Sequence, residues 1–556
     1  MRNADTDHGL TLAVYAGTTG VQLAWDADEA LRENLLGFAI KRFGGSHPEG
    51  AWLQGGIGFP AQRHPPGKFL DTHLAPIQAF RWGDYTVRPA TEYRYELIPM
   101  YAPWDGLRQG DSVSVTVTTE MVDVPPHSIA FNRAVAASQA YSRRFGDDDP
   151  HDNADARAWL GRGLDDFIAG FIARAGNGDA LDVVVYEYEL EAIREALVAA
   201  AARGASVRIV YHAKEHDEQT PVNTENIGAD RWPQVDLRPR LTAAICHDKS
   251  VVLSRLRNGE RQPEAVLTGS TNWTFNGLYY QGNVSHVVSD PEVARRYLAV
   301  FEQLFAGATQ ADMRTWLAGN DPVPDPTDDA PLQLLFSPRP DRSDLDYYVA
   351  LIGQAKRSLI FATAFDLDGA VLAALAGEGG ARRILRYGLQ NSASRVTGYN
   401  RDLARDFTAT GRLTSAPDQF LREHTPGQRG GILIHSKIIL VDFDTPHPTL
   451  VSGSANYSHG SSHDNDENTI VVRNDTRVAD LYLTELFRLF DHYRFRYNWA
   501  HPPATPEEEG GGTEARRAVL DDTPGWTDRY YADPTDPHAL ERQQLSRPLT
   551  NKGPPA

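Results

Sequence analysis

His435, Lys437 and Asp442 stand in the spacing H-x-K-x-x-x-x-D, and Gly453-Ser454, Asn456 and Glu467 follow. The apolar run between Lys437 and Asp442 (residues 438–441) predicts a buried strand. Side chains on a strand alternate faces, so His435 and Lys437 share one surface. An imidazole there can attack an electrophile or carry protons near neutral pH. An ammonium beside it can hold a phosphate oxygen and take up developing negative charge. Ser454 and Asn456 follow a second apolar strand around Leu450-Val451 and offer small donors at its end. Glu467 is a candidate to fix the tautomer of the His435 ring.

The same constellation occurs earlier in the chain. His247 and Lys249 open a similar run, and Gly269-Ser270-Thr271-Asn272-Trp273 parallels Gly453-Ser454-Ala455-Asn456-Tyr457. Asn283 takes the place of Asn468, and the two copies lie about 190 residues apart. Two histidines on one cleft supply a nucleophile and a general acid, as double displacement at phosphorus requires. The first copy departs from the second. Ser254 stands at the Asp position, and Gln281-Gly282 precede Asn283 where a Glu would be expected. His247 therefore lacks an evident carboxylate, and Gln281 is a weaker, neutral candidate to orient it.

These paired motifs resemble the phospholipase D superfamily over roughly residues 155–500. The resemblance implies two pseudo-twofold-related α/β halves, with parallel or mixed sheets flanked by helices. It also implies phosphodiester cleavage through a covalent phosphohistidine, with no metal and no cofactor. Lys249, Lys437, Asn272 and Asn456 would hold the non-bridging oxygens, with Ser270 and Ser454 helping. Asp442 would be chiefly a structural hydrogen-bonding partner. Trp273 and Tyr457 are expected to contact substrate, and among Phe275, Tyr279 and Tyr280 some are expected in the core and others at the pocket. In two-motif single chains of the family the N-terminal histidine is usually the nucleophile, which points to His247. The residues add an argument. A carboxylate raises an imidazole's proton affinity, so Glu467 would keep His435 protonated as the general acid. His247, between apolar Ile245 and Val251, would stay neutral and attack. Asp248 is expected to point to the opposite face. A phospholipid is the favoured substrate, DNA or RNA the alternative, and a binding or scaffold protein with a degenerate first motif a third reading.

The elements that must position these residues follow from pattern. Residues 1–122 read as short alternating strands, among them 10–15, 21–25, 36–42, 93–101 and 112–119. A buried Trp25 and Tyr93 at a strand start resemble a fibronectin type III sandwich, an immunoglobulin-like all-β fold, with residues 44–83 as an insertion. Such a domain could take a protein or glycan partner, which the sequence does not identify. Residues 121–155 read as the connection between the domains, with a first half over 123–320. There, 156–174 reads as one helix, 181–188, 191–203 and 207–211 as β-α-β, 214–240 as a polar loop, and 291–305 as a helix. A Pro/Asp-rich linker covers 321–331. The order repeats over 332–500, with a loop at 391–430 before the second motif and a helix over 477–493. Residues 501–556 form a Pro/Gly/Glu-rich tail, disordered at first, which Trp526, Tyr530 and Tyr531 could dock.

Composition bounds the partners. The 556 residues are 41% hydrophobic, ample for packed cores, and carry a net charge of −19. Such a chain is not built to coat DNA or anionic lipid over its whole surface, so a phosphate site must be a local basic pocket. The single cysteine, Cys246, allows no internal disulfide and reads as core. No secretory start and no run long enough to span a bilayer is visible, so the expected location is the cytoplasm. His459, His463, Asp464 and Asp466 lack a defined ligand spacing and read as a polar loop at the cleft rim.

Overall fold

The computed structural model describes all residues except 63–64, 136–137, 228–231, 233, 378–383, 391–420, 422–433, 501–518 and 549–556. The loop expected over 391–430 lies outside the described residues, apart from Leu421.

Two sheets carry the motif residues, and their strand orders match. The first runs His127–Phe131, Val284–Val288, Glu260–Gly269, Ser250–Arg257, Ala180–Val185, Ser206–His212, Val235–Arg240. The second runs Leu332–Ser337, Glu467–Arg473, Thr449–Gly453, Ile438–Val441, Ser358–Thr363, Leu385–Gln390. In each, a β-α-β crossover makes a parallel pair at one side, Ala180–Val185 with Ser206–His212 and Ser358–Thr363 with Leu385–Gln390, and the first sheet adds a second parallel pair, Ser206–His212 with Val235–Arg240. The remaining neighbours of the motif strands are antiparallel. One apolar cluster reaches across both halves, holding Val252, Val266 and Tyr297 of the first with Ile438, Leu450 and Ile470 of the second.

An antiparallel sandwich precedes them. Its sheets pair Arg2–Asp7, Leu10–Ala16, Val21–Ala27 and Arg81–Asp84, and, facing these, Arg108–Gln109, Glu92–Tyr101, Leu35–Gly44 and His47–Trp52, with Val113–Thr118 on Glu92–Tyr101. Alternation in Val113–Thr118 matches a buried-exposed pattern. Trp25 is fully buried against Phe38, and the Tyr93 hydroxyl accepts the Arg88 N–H at 3.0 Å. Residues 44–83 hold ladder strands of their own rather than a bare insertion.

Several expected boundaries move. Residues 121–155 include His127–Phe131, which joins the first sheet beside Val284–Val288. The expected helix 156–174 is two helices, Ala154–Gly161 and Leu164–Ala173. Arg162 (φ 52°) and Gly163 (φ 77°) turn the chain between them, and Arg162 pairs with Glu485 at 2.9 Å. The expected loop 214–240 holds the helix Gln219–Asn226 and the edge strand Val235–Arg240. Pro291–Phe305 is a helix as expected, with Asp290 accepting from the N–H groups of Glu292 and Val293.

Residues 520–548 are ordered against the body. Trp526 Nε1 donates to the Leu35 carbonyl, Tyr531 to the Ala27 carbonyl, and Arg542 pairs with Asp26. The sandwich also meets the long helix Thr476–Ala500 through Arg81–Asp491 and Arg2–Asp480. Among the described residues no helix is long and apolar enough to cross a membrane.

Candidate active site

Each motif glycine ends its strand under compression that no side chain would tolerate. Gly269 (φ 142°) and Gly453 (φ 156°) lie so close to the neighbouring strand that an added Cβ would sit 2.2 Å from the Val284 carbonyl oxygen and 2.3 Å from that of Asn468. The following serine N–H groups donate to those same carbonyls, Ser270 to Val284 and Ser454 to Asn468, both at 3.0 Å. Gly269 pairs with Ser285 and Gly453 with Thr469. By that register Asn283 corresponds to Glu467, not to Asn468 as the letters suggest.

The two halves exchange partners at their histidines. Glu467, from the second half, bonds His247 Nδ1 of the first half at 2.6 Å. Asn283, from the first, bonds His435 Nδ1 of the second at 2.9 Å. The backbones cross as well: His247 N–H donates to the Asp466 carbonyl and His435 N–H to the Gly282 carbonyl. The expectation that Glu467 serves His435 and that His247 lacks a carboxylate is therefore corrected. Gln281 does not orient His247: its side-chain oxygen has no hydrogen-bond partner among the described residues. Acceptors at both Nδ1 atoms, Glu467 and Asn283 with the Ser270 carbonyl at 3.0 Å, place the proton there and leave Nε2 as the reactive nitrogen.

The rings of His247 and His435 stand edge to face with centroids 6.4 Å apart. Lys249 and Lys437 curl back to the carbonyls of His247 and His435, and Lys437 Nζ lies 3.1 Å from His435 Nε2. All four side chains are buried. Asn272 and Asn456 flank them, each with a buried side-chain oxygen that has no hydrogen-bond partner among the described residues. Ser270 and Ser454 sit behind the imidazoles instead of facing a phosphate. Ser270 Oγ donates to Asn283 Oδ1 at 2.8 Å, and Ser454 Oγ accepts the Asn468 N–H at 3.0 Å.

Burial and the two ammoniums hold the His247 imidazole well below its ordinary value, and burial with Lys437 does the same to His435. Burial pushes Lys249 down to about 8 against the pull of Glu467 and Glu187. Burial, then Lys249, lowers Lys437 well below the usual lysine range. Burial pushes Glu467 up to about 7. Ser461 at 2.9 Å and Asn465 at 3.2 Å donate to its Oε1 and favour the carboxylate.

Other expected residues fall elsewhere. Asp442, at the far end of its strand, accepts the N–H groups of Lys356, Arg357 and Ser358, the shortest at 2.7 Å. Ser254 replaces it in the first half, and there Asp179 takes over, accepting from Gly176 and Leu256. Trp273 packs in the core beside Tyr188, and Tyr457 packs in the core with its hydroxyl on the Lys437 carbonyl. Tyr279 and Tyr280 are buried, and Phe275 stacks on His151. Asp248 is buried and accepts from Asn468 Nδ2 at 2.6 Å, away from the His247 ring as expected. Cys246 is buried core. His463 bonds the Arg339 carbonyl, Asp464 pairs with Arg314, and Asp466 pairs with Arg240 at 2.8 Å, tying the two halves together.

Three residues around the cleft carried no motif. Tyr186 lies 5.3 Å from the His247 ring, Phe365 5.9 Å from the His435 ring, and Glu187 accepts from Asn272 Nδ2. Their only signal was position, just past the strands that pair with the motif strands.

A family model described as a cardiolipin synthase, phospholipase D-like domain, matches residues 169–305, the stretch that holds His247, Lys249, Asn272 and Asn283. Residues 169–305 thus form a phospholipase D-like domain. Similar solved structures include a Haemophilus influenzae phosphatidylserine synthase (TM-score 0.42, 11% identity, 60% of this chain and 85% of that one). Another is the phospholipase D family member Nuc of Salmonella typhimurium (0.23, 19%, 33% and 95%). A third is a Porphyromonas gingivalis polyphosphate kinase (0.39, 12%, 64%), of whose length the chain spans about half, 53%. A comparison with curated proteins finds no match.

Proposed function

We propose that this protein is a phosphodiesterase of the phospholipase D type that works through a phosphohistidine on His247. The observation that carries the reading is the crossed pair Glu467–His247 beside His435, with Lys249 and Lys437 buried around them. His247 Nε2 attacks phosphorus and forms an N–P bond while the P–O bond to one alcohol breaks. His435 gives that oxygen its proton. Water then attacks phosphorus, its proton goes to His435, and the N–P electron pair returns to Nε2. The nucleophile is the one expected from sequence, for the opposite reason. Phosphorylation makes the imidazole cationic, and the Glu467 carboxylate at Nδ1 stabilises that cation. Both imidazoles are held neutral by burial and their ammonium neighbours; a bound phosphate anion offsets those ammoniums and lets His435 carry the proton.

The lysines supply the positive charge that a metal would otherwise bring. The protein should therefore cleave a chromogenic phosphodiester fully in excess EDTA. Loss of turnover on chelation, restored by a divalent ion, would overturn the mechanism. A phospholipid is the favoured substrate, because Phe365 is 41% exposed beside His435 and offers an apolar contact next to phosphorus. The net charge of −19 also disfavours a long polyanion. Mixed phospholipid vesicles set against single-stranded and duplex nucleic acid decide between the lipid reading and the nuclease reading.

A further inference from the structure

Besides Glu467 against Asn283, the two halves differ at a second cleft position. Val183 pairs with Val251, and Phe361 with Ile439, each partner two residues past its motif lysine. Four residues on from Val183 and Phe361, just past the ends of these strands, stand Glu187 in the first half and Phe365 in the second. The pseudo-twofold thus sets a carboxylate against a phenyl ring. Glu187 Oε2 accepts from Asn272 Nδ2, while Oε1 takes no hydrogen bond among the described residues. Lys249 and Lys437 both act on its charge, and neither bonds it, since both ammoniums turn back to their own strands. Phe365 lies over Lys437 at 5.6 Å and beside His435.

A carboxylate among groups that hold a phosphate is costly unless it has a task, because it repels the anion they attract. Fixing Asn272 uses one of its oxygens. The other is an acceptor that no donor among the described residues satisfies.

We infer that Glu187 accepts a hydrogen bond from a hydroxyl or amine on one alcohol arm of the diester, while Phe365 contacts the other, apolar arm. This rests on the phosphodiesterase reading and adds to it the chemistry of the two arms. Glu187 then acts as a specificity residue: a diester lacking the donor leaves Oε1 desolvated and unpaired, whereas the right diester satisfies it.

The test uses three esters of 4-nitrophenyl phosphate, ethyl, 2-hydroxyethyl and 2-aminoethyl, with the full chain. The wild type should favour at least one donor ester over the ethyl ester by about tenfold or more in kcat/KM, the size expected of one charge-assisted hydrogen bond. Glu187→Leu should bring that ratio near one. Glu187→Gln, a neutral acceptor of the same shape, should keep part of a hydroxyl preference and lose an amine preference, which distinguishes the two donors. Calorimetric binding of the three esters gives the same ratio without turnover. If none is cleaved, the phosphodiesterase reading fails while the binding ratio still decides the role of Glu187. Equal handling of the three esters by the wild type, or a donor preference undiminished in Glu187→Leu, would overturn the inference.

Discussion

Glu467 and His247 lie 220 residues apart in sequence and 2.6 Å apart in space, and each belongs to a different half. The mirrored contact, Asn283 to His435, uses an amide instead of a carboxylate. The site is thus symmetric in backbone and asymmetric in charge, and in the proposed mechanism that asymmetry divides the labour between the imidazoles.

Removing the charge of Glu467 should therefore cost more than removing the amide of Asn283. Glu467→Gln keeps the shape but cannot stabilise a phosphorylated, cationic imidazole, and kcat should fall about 10²–10⁴-fold, as when a histidine loses its carboxylate partner elsewhere. Asn283→Ala should cost about tenfold, the scale of one neutral hydrogen bond. Steady-state kinetics with a chromogenic diester checks both, and equal losses would contradict the division of labour.

Lys249 should set the alkaline limb of activity. Its ammonium loses its proton as pH rises through about 8, so kcat/KM should decline there. Lys249→Arg, charged at all working pH values, should remove the component near 8 and leave the one that the depressed Lys437 sets. The same burial has a sign for stability. A lysine whose folded value is depressed destabilises the fold wherever it is charged, here by about 3 kcal/mol for the drop from 10.5 to about 8. That cost is fully present below about 8 and fades as pH rises toward the unfolded value of 10.5. Lys249→Met should thus raise the Tm at pH 7, abolish turnover, and lose its stabilising effect near pH 10. Thermal melts across pH decide this.

Asp442 and Ser254 occupy matching positions with unequal duties. Asp442→Ala strips the acceptor from three backbone N–H groups and removes a side chain suited to its left-handed backbone (φ 50°), so about 2–4 kcal/mol of stability should be lost. Ser254 Oγ is buried without a hydrogen-bond partner among the described residues, so Ser254→Ala should be neutral or slightly stabilising. Denaturant unfolding of the two variants should show the contrast, and comparable losses would mean that Ser254 carries an unrecognised contact.

The parts of the site that follow a strand's period of two were legible in the sequence. His435 with Lys437, and His247 with Lys249, fall on one face for that reason. The crossing of partners was not legible, because it depends on how two sheets pack and not on any local spacing. Matching letters set Asn283 beside Asn468; the pairing of Gly269 with Ser285 and of Gly453 with Thr469 sets it beside Glu467. Glu187 and Phe365 carry no motif and became visible only through strand register. The strand Val235–Arg240 was missed because it is an edge, and its charges and Pro239 are what an edge strand uses to discourage further pairing. One helix was read where there are two, because the apolar spacing from Leu160 to Phe171 continues across the turn at Arg162 and Gly163.

The identity of the phosphorylated histidine tests the central claim most directly. A diester with a very good leaving group needs little protonation, so its first step should survive loss of the general acid. His435→Ala, mixed rapidly with such a substrate, should give a burst of covalent phospho-enzyme, and His247→Ala should give none. Mass mapping of the adduct in the wild-type protein should place it on His247. An adduct on His435, or a burst from His247→Ala, would contradict the account.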